Sequence, residues 1–168
     1  TDEFSGWFLE MVKPAYQTPV DRRTRQATLK IFENLMKVIH PFMPFITEEI
    51  YQHIADRADG DSIMTSVLTM DAPHEADREV LASMEQAKQI VSGVRAIRQS
   101  KNIAPRERLT LEVIEPEGTS HSAAHDEALC EIIKKMAALG TVRFVAQKSE
   151  GSQSFLTGTD EYAVPLGN

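Results

Sequence analysis

Two prolines and two acids punctuate an otherwise apolar run at His40-Pro41-Phe42-Met43-Pro44-Phe45-Ile46-Thr47-Glu48-Glu49-Ile50-Tyr51, and this restricts the segment to a helical hairpin. The residue before a proline is biased away from helical backbone, so a helix through Val38 and Ile39 has to stop at His40. His40 then lies near the negative end of that helix dipole. Pro44 presets the backbone for a second helix, and Thr47 followed by Glu48 and Glu49 predicts its cap and acidic first turn.

The flanking segments extend the helical reading. Phe4, Trp7, Phe8, Met11 and Val12 recur at i, i+3, i+4, i+7 and i+8, which predicts an amphipathic helix starting near Thr1. A second helix opens at the basic run Arg22, Arg23 and Arg25. Its apolar side carries Ile31, Phe32, Leu35, Val38 and Ile39, opposite Lys30, Glu33, Asn34 and Lys37. A short helix is expected over 48–57, and Asp59-Gly60-Asp61-Ser62 ends it. Residues 62–73 read as an extended connection that lays Ile63, Met64, Val67 and Leu68 over the helices. A long helix over 75–101 follows, with Val80, Met84, Ala87, Val91 and Val94 as its stripe. Gly93 lies opposite that stripe and reads as simply tolerated, at a cost of about 1 kcal/mol relative to alanine. The expected fold is mainly α: an antiparallel helical bundle over residues 1–105.

After Asn102 the period changes to alternation. Leu109, Leu111 and Val113 on one side, with Thr110, Glu112 and Ile114 on the other, predict a strand. Glu115-Pro116-Glu117-Gly118 predicts a turn, 122–139 a helix closed by Gly140, and 141–145 another strand. A hairpin is expected from 154–157 and 162–166 around Gly158-Thr159-Asp160, with Pro165 suited to an edge. Residues 106–168 therefore form a small mixed α/β subdomain. Both ends are expected to be cuts within a larger fold, because the first helix has an apolar face in need of partners and the last strand runs straight into Gly167-Asn168.

Composition excludes few classes. No apolar run approaches the eighteen or so residues needed to cross a bilayer, so no membrane partner is expected and the setting is cytoplasmic. The single cysteine, Cys130, sits in a helical apolar context (Leu129, Ile132, Ile133) and reads as a small core residue. No glycine-rich phosphate loop, nucleophile elbow or metalloprotease His-Glu-x-x-His is present. His121 and His125 have the spacing of a metal pair on one helix face, but further ligands are missing, and no metal site is assigned.

The formal charge of −7 argues against a general nucleic-acid binder, and no DNA partner is expected. Distribution qualifies this. Arg95, Arg98, Lys101, Arg106 and Arg108 stand against the single acid Glu107 between Val94 and Arg108. The apolar stripe of the long helix is continued by Arg98 and Lys101, so its packing face turns basic where it outruns the fold. Arg95, Arg98, Lys101 and Arg106, with Arg22, Arg23 and Arg25, are the candidate RNA contacts. Phe4, Trp7, Phe8, Phe32, Phe42 and Phe45 are expected to pack in the core rather than stack on bases.

The Pro-Phe-x-Pro-Phe-x-x-Glu-Glu junction gives no chemistry by itself, but it closely resembles the helix junction in the anticodon-binding domain of class I aminoacyl-tRNA synthetases. Within that family the valyl enzymes are the most similar. Trp7-Phe8-Leu9-Glu10-Met11-Val12-Lys13-Pro14, Val94-Arg95-Ala96-Ile97-Arg98 and Asn102-Ile103-Ala104-Pro105 support the resemblance in the same order, and it covers the whole chain. The junction core is shared with the isoleucyl and leucyl enzymes. The finer resemblance rests on His40, on Phe45-Ile46-Thr47 and on Val-Arg-x-Ile-Arg.

The resemblance implies a C-terminal fragment leading toward a coiled coil and recognising the anticodon of a valine-specific tRNA. The rest of the synthetase chain would attach valine using ATP and magnesium. It implies neither cofactor nor catalytic residue in these 168 residues. One alternative is the equivalent module of an isoleucyl or leucyl enzyme. Another is a helical protein-interaction module, whose docking face would be expected to stay apolar where the long helix instead turns basic.

Overall fold

Residues 2–14, 16–69, 74–116 and 122–166 are described in a computed structural model of the chain, which divides into two units, Thr1–Pro73 and His74–Asn168. In the first, a π-helical stretch Glu3–Phe8 runs into α1 (Leu9–Val12). The Phe4 ring stacks on Phe8 and on Phe32, with centroids 5.5 and 5.8 Å apart. Asp21 caps α2 (Arg22–Ile39) by accepting the Thr24 N–H at 2.9 Å, and α2 ends at Ile39; His40 keeps helical backbone, and Pro41, which has no N–H, cannot continue the ladder.

The next helix, α3 (Pro44–Ile54), begins earlier than expected, with Pro44 in its first turn. Thr47 is therefore not its cap. It is buried inside the helix, and its hydroxyl donates to the Met43 carbonyl at 2.8 Å and meets His40 Nδ1 at 2.7 Å. Starting the helix at Pro44 turns Thr47 and Tyr51 inward and leaves Phe45, about 200° round from Thr47 at 3.6 residues per turn, pointing out. Phe42 and Phe45 are accordingly 85% and 91% exposed, which corrects the expectation that they pack in the core.

Met36, Tyr51 and Ile63 centre the core of this unit, with Phe32, Leu35, Ile39 and Ile50 against them. Ile63 enters on a short 3-10 turn, Ile63–Thr65, that Glu48 holds by accepting the Ser62 hydroxyl at 2.7 Å and the Ile63 N–H at 3.1 Å. Met64, Val67 and Leu68, expected to lie over the helices, are exposed; residues 70–73 of that connection lie outside the described residues. Arg57 folds back over the Tyr51 ring, 3.7 Å from its centroid, and joins Glu33 at 2.7 Å, where Lys37 also arrives at 2.8 Å. Burial would raise the Glu33 carboxyl, but hydrogen bonds and charge from Lys37 and Arg57 hold it below the usual glutamate range.

In the second unit, α4 (Glu75–Ser100) and α5 (Glu127–Ala137) accompany a four-stranded sheet. Its strands are β1 (Leu109–Ile114), β2 (Leu139–Val145), β3 (Gln153–Thr157) and β4 (Asp160–Val164), in the order β2-β1-β4-β3. The α5 crossover makes β1 and β2 parallel, while β4 runs antiparallel to both β1 and its hairpin partner β3. The mainly α expectation is thus wrong: the fold is α+β. The buried residues of α4, among them Ala87, Ile90, Val91, Val94 and Ile97, belong to a helix that packs on α5, β3 and β4. An amphipathic stripe records that one face is buried, not whether a helix or a sheet buries it. The unit boundary correspondingly falls before α4, not at residue 105.

Smaller differences follow from the sheet. Ala138, with a left-handed φ of 53°, closes α5, and Gly140 lies inside β2. β4 is interior, so Pro165 follows a strand with two neighbours and does not mark an edge. Glu117 and Gly118 of the expected turn lie outside the described residues. Gly93 is not merely tolerated: the Phe155 ring from β3 fills the space a β-carbon would need.

Candidate nucleic-acid interface

The C-terminal turn of α4 is built around Arg98. Its side chain continues the buried stripe and is itself only 8% exposed. The guanidinium donates to four backbone carbonyls: Ala137 at 3.2 Å, Ala138 at 2.8 Å, Ala104 at 3.0 Å and Glu107 at 2.7 Å. Two of these carbonyls close α5 and two belong to the loop after α4. Arg98 therefore answers carbonyls that a helix end leaves without partners, and burial pulls its pKa below the ordinary arginine value. Four of its five N–H donors are committed to the fold, so its part in any RNA contact is one of support.

Around this anchor the other cations point outward. Lys101 is the residue on which α4 ends, and Asn102 turns the chain away through a left-handed φ of 52°. The Ile103 N–H returns to the Arg98 carbonyl at 2.9 Å, and the Glu107 N–H to that of Ala104 at 3.0 Å, so Arg106 is carried on a defined turn. Lys101, Arg106 and Arg108 are exposed. Arg95, also exposed, lies one turn earlier on α4 and places Nε and Nη2 3.3 and 2.9 Å from the Met136 carbonyl. The structure thus brings Arg95, Lys101 and Arg106 to one end of α4, with Arg98 as their support.

Between the end of α4, the loop at 102–105 and the end of α5 lies a groove of about 520 Å³. Gln99, Asn102, Ile103, Pro105 and Met136 are among its walls. The sequence showed the basic character of this end and the Asn102-Ile103-Ala104-Pro105 motif. It gave no sign that Met136 would join them, because that wall arrives through the α5 crossover.

Arg22, Arg23 and Arg25 form a separate cluster in the first unit. All three are exposed, at the start of α2, whose first turn holds no acid beyond the Asp21 cap. Cations near a helix N-terminus oppose the dipole, at roughly 0.3–1 kcal/mol each. Helix stability therefore does not explain them. Arg25 borders an apolar groove of about 390 Å³ with Leu9, Val12 and Val20.

Chemistry is sparse elsewhere. His125 pairs with Glu115 at 2.6 Å and stacks on Phe144, while His121 lies outside the described residues. Among the described residues no group of three or more His, Cys, Asp or Glu side chains could hold a metal ion, and no helix is long and apolar enough to cross a membrane. Burial raises the Cys130 thiol above its ordinary pKa, the opposite of an activated nucleophile.

Comparison with known proteins bears on this geometry. The family described as "Anticodon-binding domain of tRNA ligase" matches residues 1–115. Over 167 residues the chain is 45% identical to the valine–tRNA ligase of Phocaeicola vulgatus and 46% identical to that of Parabacteroides distasonis, each match covering 99% of the chain. It is 33% identical over 169 residues to the valine–tRNA ligase of Nitratidesulfovibrio vulgaris, across 98% of its length. The chain spans 18% of the first two relatives and 19% of the third.

Proposed function

The chain belongs to the anticodon-binding domain family of tRNA ligases, and from that membership we propose that it is the anticodon-recognition module of a valine–tRNA ligase. The observation that carries the reading is the exposed basic end of α4, held in shape by Arg98 inside an otherwise acidic chain. Lys101, Arg106 and Arg95 contact tRNA phosphates there, and Arg22, Arg23 and Arg25 supply a second set of phosphate contacts. Arg98 acts through the loop it anchors. The names of the relatives support valine over isoleucine or leucine.

On this reading the module does no chemistry. Its contribution is discrimination: cognate tRNA is retained and presented to a catalytic region elsewhere in the ligase, which joins valine to tRNA with ATP and magnesium in the cytoplasm. Exposed Phe42, Met43, Phe45 and Ile46 give the module an apolar surface suited to the rest of that synthetase chain.

The test is an NMR titration of isotope-labelled protein with the valine tRNA anticodon stem-loop and with the same hairpin carrying altered anticodon bases. Shifts at Arg95, Lys101 and Arg106 that depend on the anticodon support the proposal. Equal shifts with every hairpin would reduce the module to a general RNA binder, and no shifts at high concentration would defeat it.

A further inference from the structure

We propose that the connection 146–152 is a strap over the helix-free face of the sheet, closed by the Glu112 carboxylate and opened when that carboxylate turns to Arg143. β2 and β3 both run parallel to β1, and the strand order sets β1 and β4 between them. A connection between parallel strands ordinarily takes about a dozen residues and a helix, and this one is shorter and has no helix. The faces are fixed by α4, which meets Phe155 at Gly93. Tyr162 and Val113, in register with Phe155, share its face, so Glu112, Ala163, Glu161 and Ser154 point to the other. α5 packs on α4 and β2, which leaves the Glu112 side of this unit to the strap.

Glu112 is only 3% exposed. Its carboxylate accepts the Ser149 N–H at 3.0 Å with one oxygen and the Ser149 hydroxyl with the other. One residue earlier Lys148 donates to Glu161 at 2.8 Å and to Ser154 at 3.3 Å. The Ser152 N–H and hydroxyl return to the Ser149 carbonyl at 3.2 and 2.7 Å, which closes the strap into a turn. No large apolar side chain lies between Ala146 and Ser152, so opening exposes groups that water can satisfy and takes nothing from the core. Arg143 supplies the competing partner. It stands in register with Glu112 on β2, is exposed, and projects from the same face. Neighbouring strands are about 5 Å apart, within reach of a guanidinium, yet in the closed form the carboxylate faces Ser149 and makes no ion pair with Arg143. Two arrangements of one carboxylate therefore give the strap two states.

The test is native-state amide exchange on the full chain, and it involves no RNA. The Ser149 and Ser152 amides should exchange ~100-fold faster than those of Val113 and Tyr162, through an opening that low urea does not affect. Ser149→Ala, at an exposed residue, should speed exchange at Ser152 ~tenfold, as one lost bond to a carboxylate requires, and leave Val113 and Tyr162 unchanged. Arg143→Gln removes the competing charge and should slow exchange at both serines severalfold. Strap amides that exchange in step with β1 and β4 would overturn the proposal, because the strap would then open only with the sheet. So would strap amides no better protected than in an unfolded peptide, or a Ser152 rate that Ser149→Ala leaves unchanged. Exchange unchanged or faster in Arg143→Gln would refute the competition between Arg143 and Ser149.

Discussion

Phe155 lays its ring against Gly93, so that the β3–β4 hairpin meets the long helix through one aromatic ring set on bare backbone. The close approach explains a glycine in a helix interior, where it otherwise costs stability. Gly93→Ala should destabilise the second unit by about 1–3 kcal/mol, because the new methyl forces the ring and β3 away. Urea unfolding followed at sheet residues measures this. Adding Phe155→Leu should recover part of the loss, and a stable Gly93→Ala protein would show that the helix and hairpin have room to separate.

Arg98 satisfies four carbonyls at once, and only a planar fork reaches them all. Arg98→Ala should cost about 3 kcal/mol, since one buried and three part-buried acceptors lose charge-assisted bonds. Arg98→Lys should lose nearly as much. Amide exchange in the 103–107 loop should accelerate more than exchange in β1, which sets this apart from general unfolding.

Lys101→Ala and Arg106→Ala should leave the fold intact, because both side chains are exposed. Each should weaken tRNA binding to a similar degree whatever the anticodon, and reduce the slope of log affinity against log salt by about 0.7–0.9 per lost phosphate contact. An anticodon-selective effect of either substitution would move it from phosphate to base contact.

Glu33 gives the first unit a pH dependence. Its folded pKa is held below the usual value by Lys37 and Arg57, so the stabilisation is complete above the unfolded pKa and is lost as pH falls through the folded one. Thermal melts should therefore drop as pH is lowered through and below about 4, the ordinary glutamate range. Glu33→Gln should be less stable than the parent at neutral pH, and the difference should shrink in acid. A constant difference across pH would mean that shape rather than charge holds Arg57 over Tyr51.

Local order was legible in this sequence wherever one residue acts on its neighbours. Pro41 stopping α2 and Gly158 in the turn of the hairpin depend on backbone restrictions that operate within a few positions. Partnership was not. The stripe on α4 looks the same whether Leu35 or Val164 stands opposite, so the sheet took a helix that had been assigned to the bundle. Phe45 is as apolar as Phe32, and only the placement of Pro44 in the first turn of α3 turns it outward. The basic end of α4 was visible from charge alone, but Arg98 shares that charge while serving backbone carbonyls contributed from forty residues away. Long side chains at the edge of a stripe can turn either way, and which way they turn depends on acceptors brought by distant segments.

The strand order has a consequence for synthesis. β1 leaves the ribosome before either of its neighbours, separated from β2 by the α5 crossover and from β4 by a hairpin still to be made. β2 can pair with β1 once the crossover is made, but the β1 edge that receives β4 stays open until Val164 has been translated. Open edges pair with other chains, so a nascent chain stalled just after Thr157, or a product truncated there, should form aggregates seeded by that edge of β1.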